Sequence, residues 1–321
     1  MKKTVLVIMM IMMAVGMAFA AGGQEEARDD GKIIIGHTAN NVGIDSYQTT
    51  HDRVFREECA KLADVECIQL DAGGDVAEQL AQIEDLIQRR VDVIAVWPVN
   101  SRAVVPGVRR AHQAGIPVVI VNSEIDESGH EFTVGFAGPD TYQQGINGAM
   151  AMIDVLNGQG KVVELMGMPG YDTAIQRSGG FQDYIAENAP GIELLATEPT
   201  DWNRAKATEV MENLLVRFGD QIDGVYVADD NVGIGALNAM REAGVAGRVA
   251  ITSACMFGEG YDAMEEGYFH GSVYQSPAED AINALQMSIA AAKGEEVPFW
   301  NYFATPVVNQ GNLSQFERPN F

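Results

Sequence analysis

Residues 77–123 read AEQLAQIEDLIQRRVDVIAVWPVNSRAVVPGVRRAHQAGIPVVIVNS. At the start of this stretch Val76, Leu80, Ile83 and Ile87 recur at i, i+4, i+7 and i+11, the apolar stripe of one helix, with Asp75 placed to cap it. The runs Val93–Val96 and Val118–Val121 are continuously apolar instead of alternating, as expected of strands buried on both faces of a parallel sheet. Helix and strand in alternation make an α/β layer.

The same alternation extends outward in both directions. Strands are expected at Ile33–Ile35, Val65–Leu70, Thr133–Phe136, Val162–Met166, Ile192–Ala196, Val225–Val227 and Val249–Ile251. Helical stripes recur as Ala207, Met211, Leu214, Phe218 and as Ala278, Ile282, Leu285, Ile289, Ala292; these face the core by default. The alternation runs through Asn122 and restarts near Thr133, which implies two doubly wound α/β lobes in succession. The last long helix, Pro277 to Lys293, is expected to return to the first lobe, because the second already has its helices. The chain then crosses between lobes near Gly138, Gln275 and Ala304, a three-segment hinge beside a cleft. The expected division is 32–137 plus 276–303 for one lobe and 138–275 plus 304–321 for the other.

A length of 321 residues agrees with two domains of ~150 residues each. Lys and Arg total 21 against 45 Asp and Glu, a net charge of −24, so a nucleic-acid backbone is repelled and no nucleic-acid partner is expected. Met1-Lys2-Lys3, an apolar run from Val5 to Val15 and Ala18-Phe19-Ala20 form the three parts of a secretory signal peptide over residues 1–20, with a flexible segment at 21–31. The apolar run falls short of the ~20 residues that span a bilayer. No cysteine precedes Cys59, so no lipid attachment is marked, and an unanchored, monomeric periplasmic product is expected. Cys59 and Cys67 admit two readings, a disulfide in an oxidising compartment or two small buried hydrophobes; Cys255 is left over in both.

Ligands of open α/β sheets bind beyond the carboxyl ends of the strands. That rule selects Asn40, Asn41 and Tyr47 after the first strand, Trp97 and Asn100 after the third, and Asn122 and Ser123 after the fourth. In the second half it selects Tyr171, Asp172 and Arg177, then Trp202 and Arg204, then Asp229, Asp230 and Asn231, then Ser253 and Cys255. Aromatic faces, amides, carboxylates and a guanidinium suit a ligand rich in hydroxyls. Trp97, with Pro98 directly after it, is read as packing. Of Asp229 and Asp230, one is expected to cap a helix and the other to meet ligand.

No G-x-x-x-x-G-K-[ST] occurs, and Gly233-x-Gly235 lacks the third glycine of a dinucleotide fingerprint, so no nucleotide cofactor is expected. No G-x-S-x-G, H-E-x-x-H or C-x-x-C occurs, and the five histidines lack metal-ligand spacing. Neither an enzyme nor a metal site is expected.

AEQLAQIEDLIQRRVDVIAVWPVN at 77–100, AHQAGIPVVIVNS at 111–123, KVVELMGMPGYDTAIQRSGGFQDYIA at 161–186 and DGVYVADDNVGIGAL at 223–237 stand in order behind the leader. With them the chain, from about Lys32 onward, resembles the periplasmic sugar-binding proteins of the ribose-binding type, the receptors of ABC importers. The resemblance implies two α/β lobes joined by three hinge strands, a monosaccharide or polyol ligand held by hinge closure, and an ABC permease as partner; a chemoreceptor or sensor kinase is the alternative recipient. It implies that Tyr47 and Trp202 lie against the ligand, that Arg177 and Asp229 bond its hydroxyls, and that Gln275 sits at the hinge. Where the ribose receptor has an Asp-Arg pair this chain has Asn122-Ser123, and where that receptor has an aspartate the match is Cys255, so ribose in the ribose receptor's bonding pattern is not expected. Asn41 and Asp172 complete the candidate ligand set.

Overall fold

The computed structural model describes residues 31–321. The expected signal peptide at 1–20, and all of the segment after it except Gly31, lie outside the described residues. The first group of elements is β1 (Ile33–Ala39), α1 (Ser46–Cys59), β2 (Val65–Asp71), α2 (Val76–Gln88), β3 (Val93–Val96), α3 (Val105–Gln113), β4 (Val118–Val121) and β5 (Gly135–Gly138). There follow α4 (Thr141–Leu156), β6 (Gln159–Met166), α5 (Asp172–Asn188), β7 (Gly191–Pro199), α6 (Arg204–Phe218), β8 (Gly224–Val227), α7 (Asp230–Glu242), β9 (Ala250–Ser253), α8 (Gly258–Glu265) and β10 (Phe269–Val273). Last come α9 (Pro277–Ala292), β11 (Trp300–Tyr302) and β12 (Val307–Val308).

Two six-stranded sheets result, ordered β11-β5-β4-β3-β1-β2 and β12-β10-β9-β8-β6-β7. Every pairing is parallel except β10 with β12. All residues of β3, β4, β8 and β9 are buried, which is why these strands are continuous apolar runs. The chain leaves the first sheet after β5, returns after β10 as α9, which packs on α1, β1, β3, β4 and β5, and leaves again between β11 and β12. Each sheet thus borrows an edge strand from a distant part of the chain. Among the described residues no helix is long and apolar enough to cross a membrane.

Several details differ from the sequence expectation. β1 runs four residues beyond Ile35, through Gly36, His37 and Thr38, whose backbones pair with β2 and β3 although the apolar run has ended. β5 begins at Gly135, because the Thr133 N–H instead closes a turn onto the His130 carbonyl. The buried face of α2 passes through Gln79, Gln82, Ile83 and Leu86, while Val76, Leu80 and Ile87 are half-buried. Asp75 caps that helix as expected, accepting the Ala77 and Glu78 N–H groups. Cys59, the last residue of α1, is disulfide-bonded to Cys67 in β2, and Cys255 is a buried free thiol.

Candidate functional site

Loops at the carboxyl ends of strands from both sheets line one shared cavity. The first sheet supplies Asp45, Tyr47 and Gln48 from the start of α1, Trp97 directly after β3 and Asn122 directly after β4. The second supplies Tyr171, Thr173 and Arg177 around the start of α5, Trp202 after β7, Asp229 after β8, Cys255 and Phe257 after β9, and Gln275 after β10. Three of these hold a left-handed backbone without being glycine: Asn122 at φ 60°, Trp202 at 58° and Cys255 at 61°. Such a conformation costs of order 1–3 kcal/mol per residue and persists where the surroundings impose it, as at binding sites.

Those surroundings are specific. The Trp202 ring meets Tyr171 edge-on at 5.9 Å, and its carbonyl accepts from Asn231 Nδ2 at 3.0 Å. Behind it, a Cβ on Gly167 would lie 2.2 Å from the indole, so the ring fits only against glycine. Trp97 is fixed through α2, where Gln79 donates to the Trp97 carbonyl at 2.7 Å and accepts from the Val99 N–H at 2.8 Å. A polar side chain on the buried face of a helix therefore positions an aromatic wall of the cavity.

A continuous hydrogen-bond chain joins the two sheets. Arg177 donates from Nε to Gln144 at 2.9 Å, from Nη1 to the Ala228 carbonyl at 2.8 Å and from Nη2 to Gln275 Oε1 at 2.9 Å. Gln275 Nε2 donates to the Tyr47 hydroxyl at 2.7 Å, and that hydroxyl donates to Asp280 at 2.8 Å. Asn122 Nδ2 also donates to Asp280, at 2.5 Å. Asp280, on α9, is thus the anchor of the network, and burial pushes its carboxyl up to about 7. Sequence reasoning did not find it, because it lies in the first turn of a helix and not at a strand end.

Asp229 both caps α7, accepting the Val232 N–H at 2.7 Å, and lines the cavity. One residue performs the two roles that the sequence divided between neighbours. Asp230 lies beneath, accepting from Ser253, from Ser272 at 3.1 Å and from the Phe257 N–H at 3.0 Å, which ties β9, β10 and the Phe257 loop together. Burial pushes Asp230 up to about 8 and Asp229 to about 7, the latter helped by the charge of Asp45. Burial also holds the Cys255 thiol well above its ordinary value, hence neutral.

Of the ten residues singled out in the sequence, Tyr47, Asn122, Arg177, Trp202, Asp229, Cys255 and Gln275 meet at this cavity. Asn41, Ser123 and Asp172 do not line it. The Asn41 N–H donates to Gln48 at 3.1 Å, Ser123 Oγ accepts the Thr173 N–H at 3.2 Å, and Asp172 accepts from Gln176 at 3.3 Å. Asn41 and Ser123 thus brace the lining residues Gln48 and Thr173 from behind, while Asp172 bonds within its own helix. Trp97 corrects the packing-only reading: its ring lines the cavity while its Nε1–H donates to the Tyr171 hydroxyl. Asp45, Gln48, Thr173 and Phe257 stand one to several residues past the strand ends and carried no signal of their own in the sequence. No group of three or more His, Cys, Asp or Glu poised for a metal occurs among the described residues.

Residues 33–296, which carry the strand ends of both sheets that line this cavity, match the family model described as the periplasmic binding protein domain. The chain belongs to that family. It is 31% identical over 306 residues to the xylitol-binding protein of Mycolicibacterium smegmatis, covering 94% of this chain and 84% of that one. It is 30% identical over 233 residues to the ribose import binding protein of Salmonella typhimurium, covering 72% and 75%. Among solved structures, an ABC transporter solute-binding protein from Bacillus halodurans with bound myo-inositol superposes with a TM-score of 0.84 at 28% identity, covering 90% of this chain and 98% of that one. The two sheets described above are the α/β lobes of this family.

Proposed function

We propose that the protein is an exported solute-binding protein that captures a polyol or monosaccharide between its lobes and delivers it unaltered to an ABC import permease. The observation that carries this reading is the cavity itself, lined from both sheets by five aromatic rings and by amide, carboxylate and guanidinium groups. Rings cover the C–H faces of a hydroxylated ligand, and the polar groups pair with its hydroxyls. Closure follows from contacts made to both lobes at once, since a ligand favours whichever state it touches more. The similarity to a xylitol-binding protein and to a solute-binding protein with bound myo-inositol supports a polyol or cyclitol as the ligand. The Cys59–Cys67 disulfide accords with an oxidising compartment outside the cytoplasm.

Trp202, Arg177, Asp229 and Asn122 are the proposed ligand contacts, with Tyr47 and Gln275 holding them in register. Thermal-shift screening against pentoses, hexoses, polyols and inositols tests the reading, because a ligand of the folded state adds RT ln(1 + [L]/Kd) to stability. The expected result is stabilisation by one compound class, recovered chemically unchanged. Trp202→Ala and Arg177→Ala are expected to weaken its binding about a hundredfold or more, on the scale of buried anchor residues. Absence of stabilisation across the whole panel, or conversion of the ligand, overturns the reading.

A further inference from the structure

After β12 the chain runs along α8 and reaches the cavity through residues 316–321, Phe-Glu-Arg-Pro-Asn-Phe. Phe316 packs on Tyr274, just past β10, with ring centroids 5.8 Å apart. Arg318 grips Asp262 of α8 with two bonds, from Nε at 2.6 Å and from Nη2 at 2.7 Å, and the Gly258 N–H at the start of α8 donates to the Phe321 carbonyl at 2.8 Å. The fit is close, since a Cβ on Gly258 would lie 2.6 Å from the Pro319 carbonyl. All of these anchors belong to elements of the second sheet. The Phe321 ring reaches further: it meets Phe257 edge-on at 5.7 Å and, across the cleft, meets Tyr47 of α1 at 5.9 Å and 83°. Tyr47 and Phe257 both line the ligand cavity, whereas Phe321 lines a second, outer cavity that shares Asp45 and Phe257 with the first. One ring thus bridges the two walls from outside.

Resting on the closure proposed above, we propose that residues 316–321 form a strap and that Phe321 is a positioning residue that latches the two lobes shut by holding Tyr47. The bonds to α8 and the contact with Phe257 survive an opening motion, because their partners move with the strap. The contact with Tyr47 is the one that opening breaks, so whatever it contributes favours the closed form over the open one. Tyr47 is a rigid partner for this latch, since its hydroxyl accepts from Gln275 and donates to Asp280. An edge-on aromatic pair shifts such a balance by about two- to tenfold. The strap therefore prolongs retention of ligand without touching it.

Two measurements on the mature protein test the latch: stopped-flow release of xylitol and of myo-inositol, and, without ligand, the distance between spin labels on Glu57→Cys in α1 and Glu212→Cys in α6. Phe321→Ala is expected to release a bound probe about fivefold faster, with its association rate within about twofold of wild type, and to raise the open-to-closed ratio of the ligand-free protein by a similar factor. Phe321→Tyr keeps the ring and is expected to behave as wild type. Gly258→Ala places a methyl where the Pro319 carbonyl lies, and is expected to dislodge the strap and speed release as Phe321→Ala does, with Phe321 itself intact. Unchanged release and distances in Phe321→Ala overturn the latch, even where its melting temperature falls, because the ring then serves packing alone. Release from Phe321→Tyr as fast as from Phe321→Ala overturns it too. If a probe binds and Phe321→Ala changes nothing, the latch falls and the binding reading stands; if neither probe binds the wild type, the polyol reading loses its support and the label distances alone decide the latch.

Discussion

At Asp280 the cost of organising the site is concentrated in a single side chain. Its Oδ2 receives the Tyr47 hydroxyl and the Asn122 amide, while Oδ1 has no partner among the described residues. Burial raises this carboxyl from its ordinary value to about 7 in the folded protein. A carboxyl raised on folding contributes stability that is present below its unfolded value and is lost as the pH rises through its folded value. Between pH 5 and pH 8 the wild type is therefore expected to lose roughly 2–3 kcal/mol relative to Asp280→Asn, at ~1.4 kcal/mol per pH unit up to the folded value. Denaturant unfolding of both proteins at the two pH values measures the difference, and a gap independent of pH would refute it. His37 has the opposite sign: burial lowers it to about 4, so its contribution is lost as the pH falls below about 6.5. The alkaline comparison stays clear of that range at its upper end, and subtraction between the two proteins cancels it at the lower.

Helices and loops fix these residues by close approach. A Cβ on Gly145 of α4 would lie 2.1 Å from the Arg177 carbonyl, and one on Gly180 of α5 would lie 2.1 Å from the Tyr142 carbonyl, so the two helices touch backbone to backbone beside Arg177. Gly145→Ala and Gly180→Ala are each expected to destabilise by about 1–3 kcal/mol, the range of overpacked contacts. They should also weaken ligand binding, because α5 carries Arg177; thermal melts and calorimetry read the two effects. The Cys59–Cys67 bridge closes a loop with a sequence separation of 8, so Cys59→Ser is expected to cost on the order of 2.5 kcal/mol on the loop-entropy scale, with ligand affinity unchanged. What the sequence disclosed follows the same division. β3, β4, β8 and β9 are legible because burial on both faces demands unbroken apolar runs. β11 and β12 have three and two residues at sheet edges, and β10 is interrupted by His270, Gly271 and Ser272, so neither length nor pattern announced them. The strand-end rule located the site, but it cannot say which side chain after a strand faces inward. Hence the rule picks Trp97 and Tyr171 but leaves them outside the candidate ligand set, which holds Asn41 and Ser123 instead, and Gln79, a polar residue on a buried helix face, has no pattern to mark it.

Across the whole molecule, the cores within each sheet are extensive, whereas the polar contacts between strand-end loops of opposite sheets are few. They include Trp97 Nε1 to the Tyr171 hydroxyl, the Thr173 N–H to Ser123 at 3.2 Å, the Ser101 N–H to the Gly170 carbonyl at 3.1 Å, and Gln275 to Tyr47 at 2.7 Å. An opening motion has to break these bonds and expose the aromatic walls, yet it leaves both sheets intact. Each neutral hydrogen bond contributes about 1 kcal/mol, so removing one shifts the balance between open and closed forms by about fivefold. Trp97→Phe keeps an aromatic ring in the wall and removes the N–H; Tyr171→Phe keeps the ring and removes the acceptor. If the Trp97–Tyr171 bond acts as a clasp between lobes, each variant should release ligand about fivefold faster with little change in association rate, because the bond forms after ligand has entered. The double variant should be no worse than either single one, giving a coupling energy of about 1 kcal/mol, since the second substitution removes a partner already lost. Additive losses in stopped-flow dissociation would show instead that each ring contributes only its own contact to the ligand.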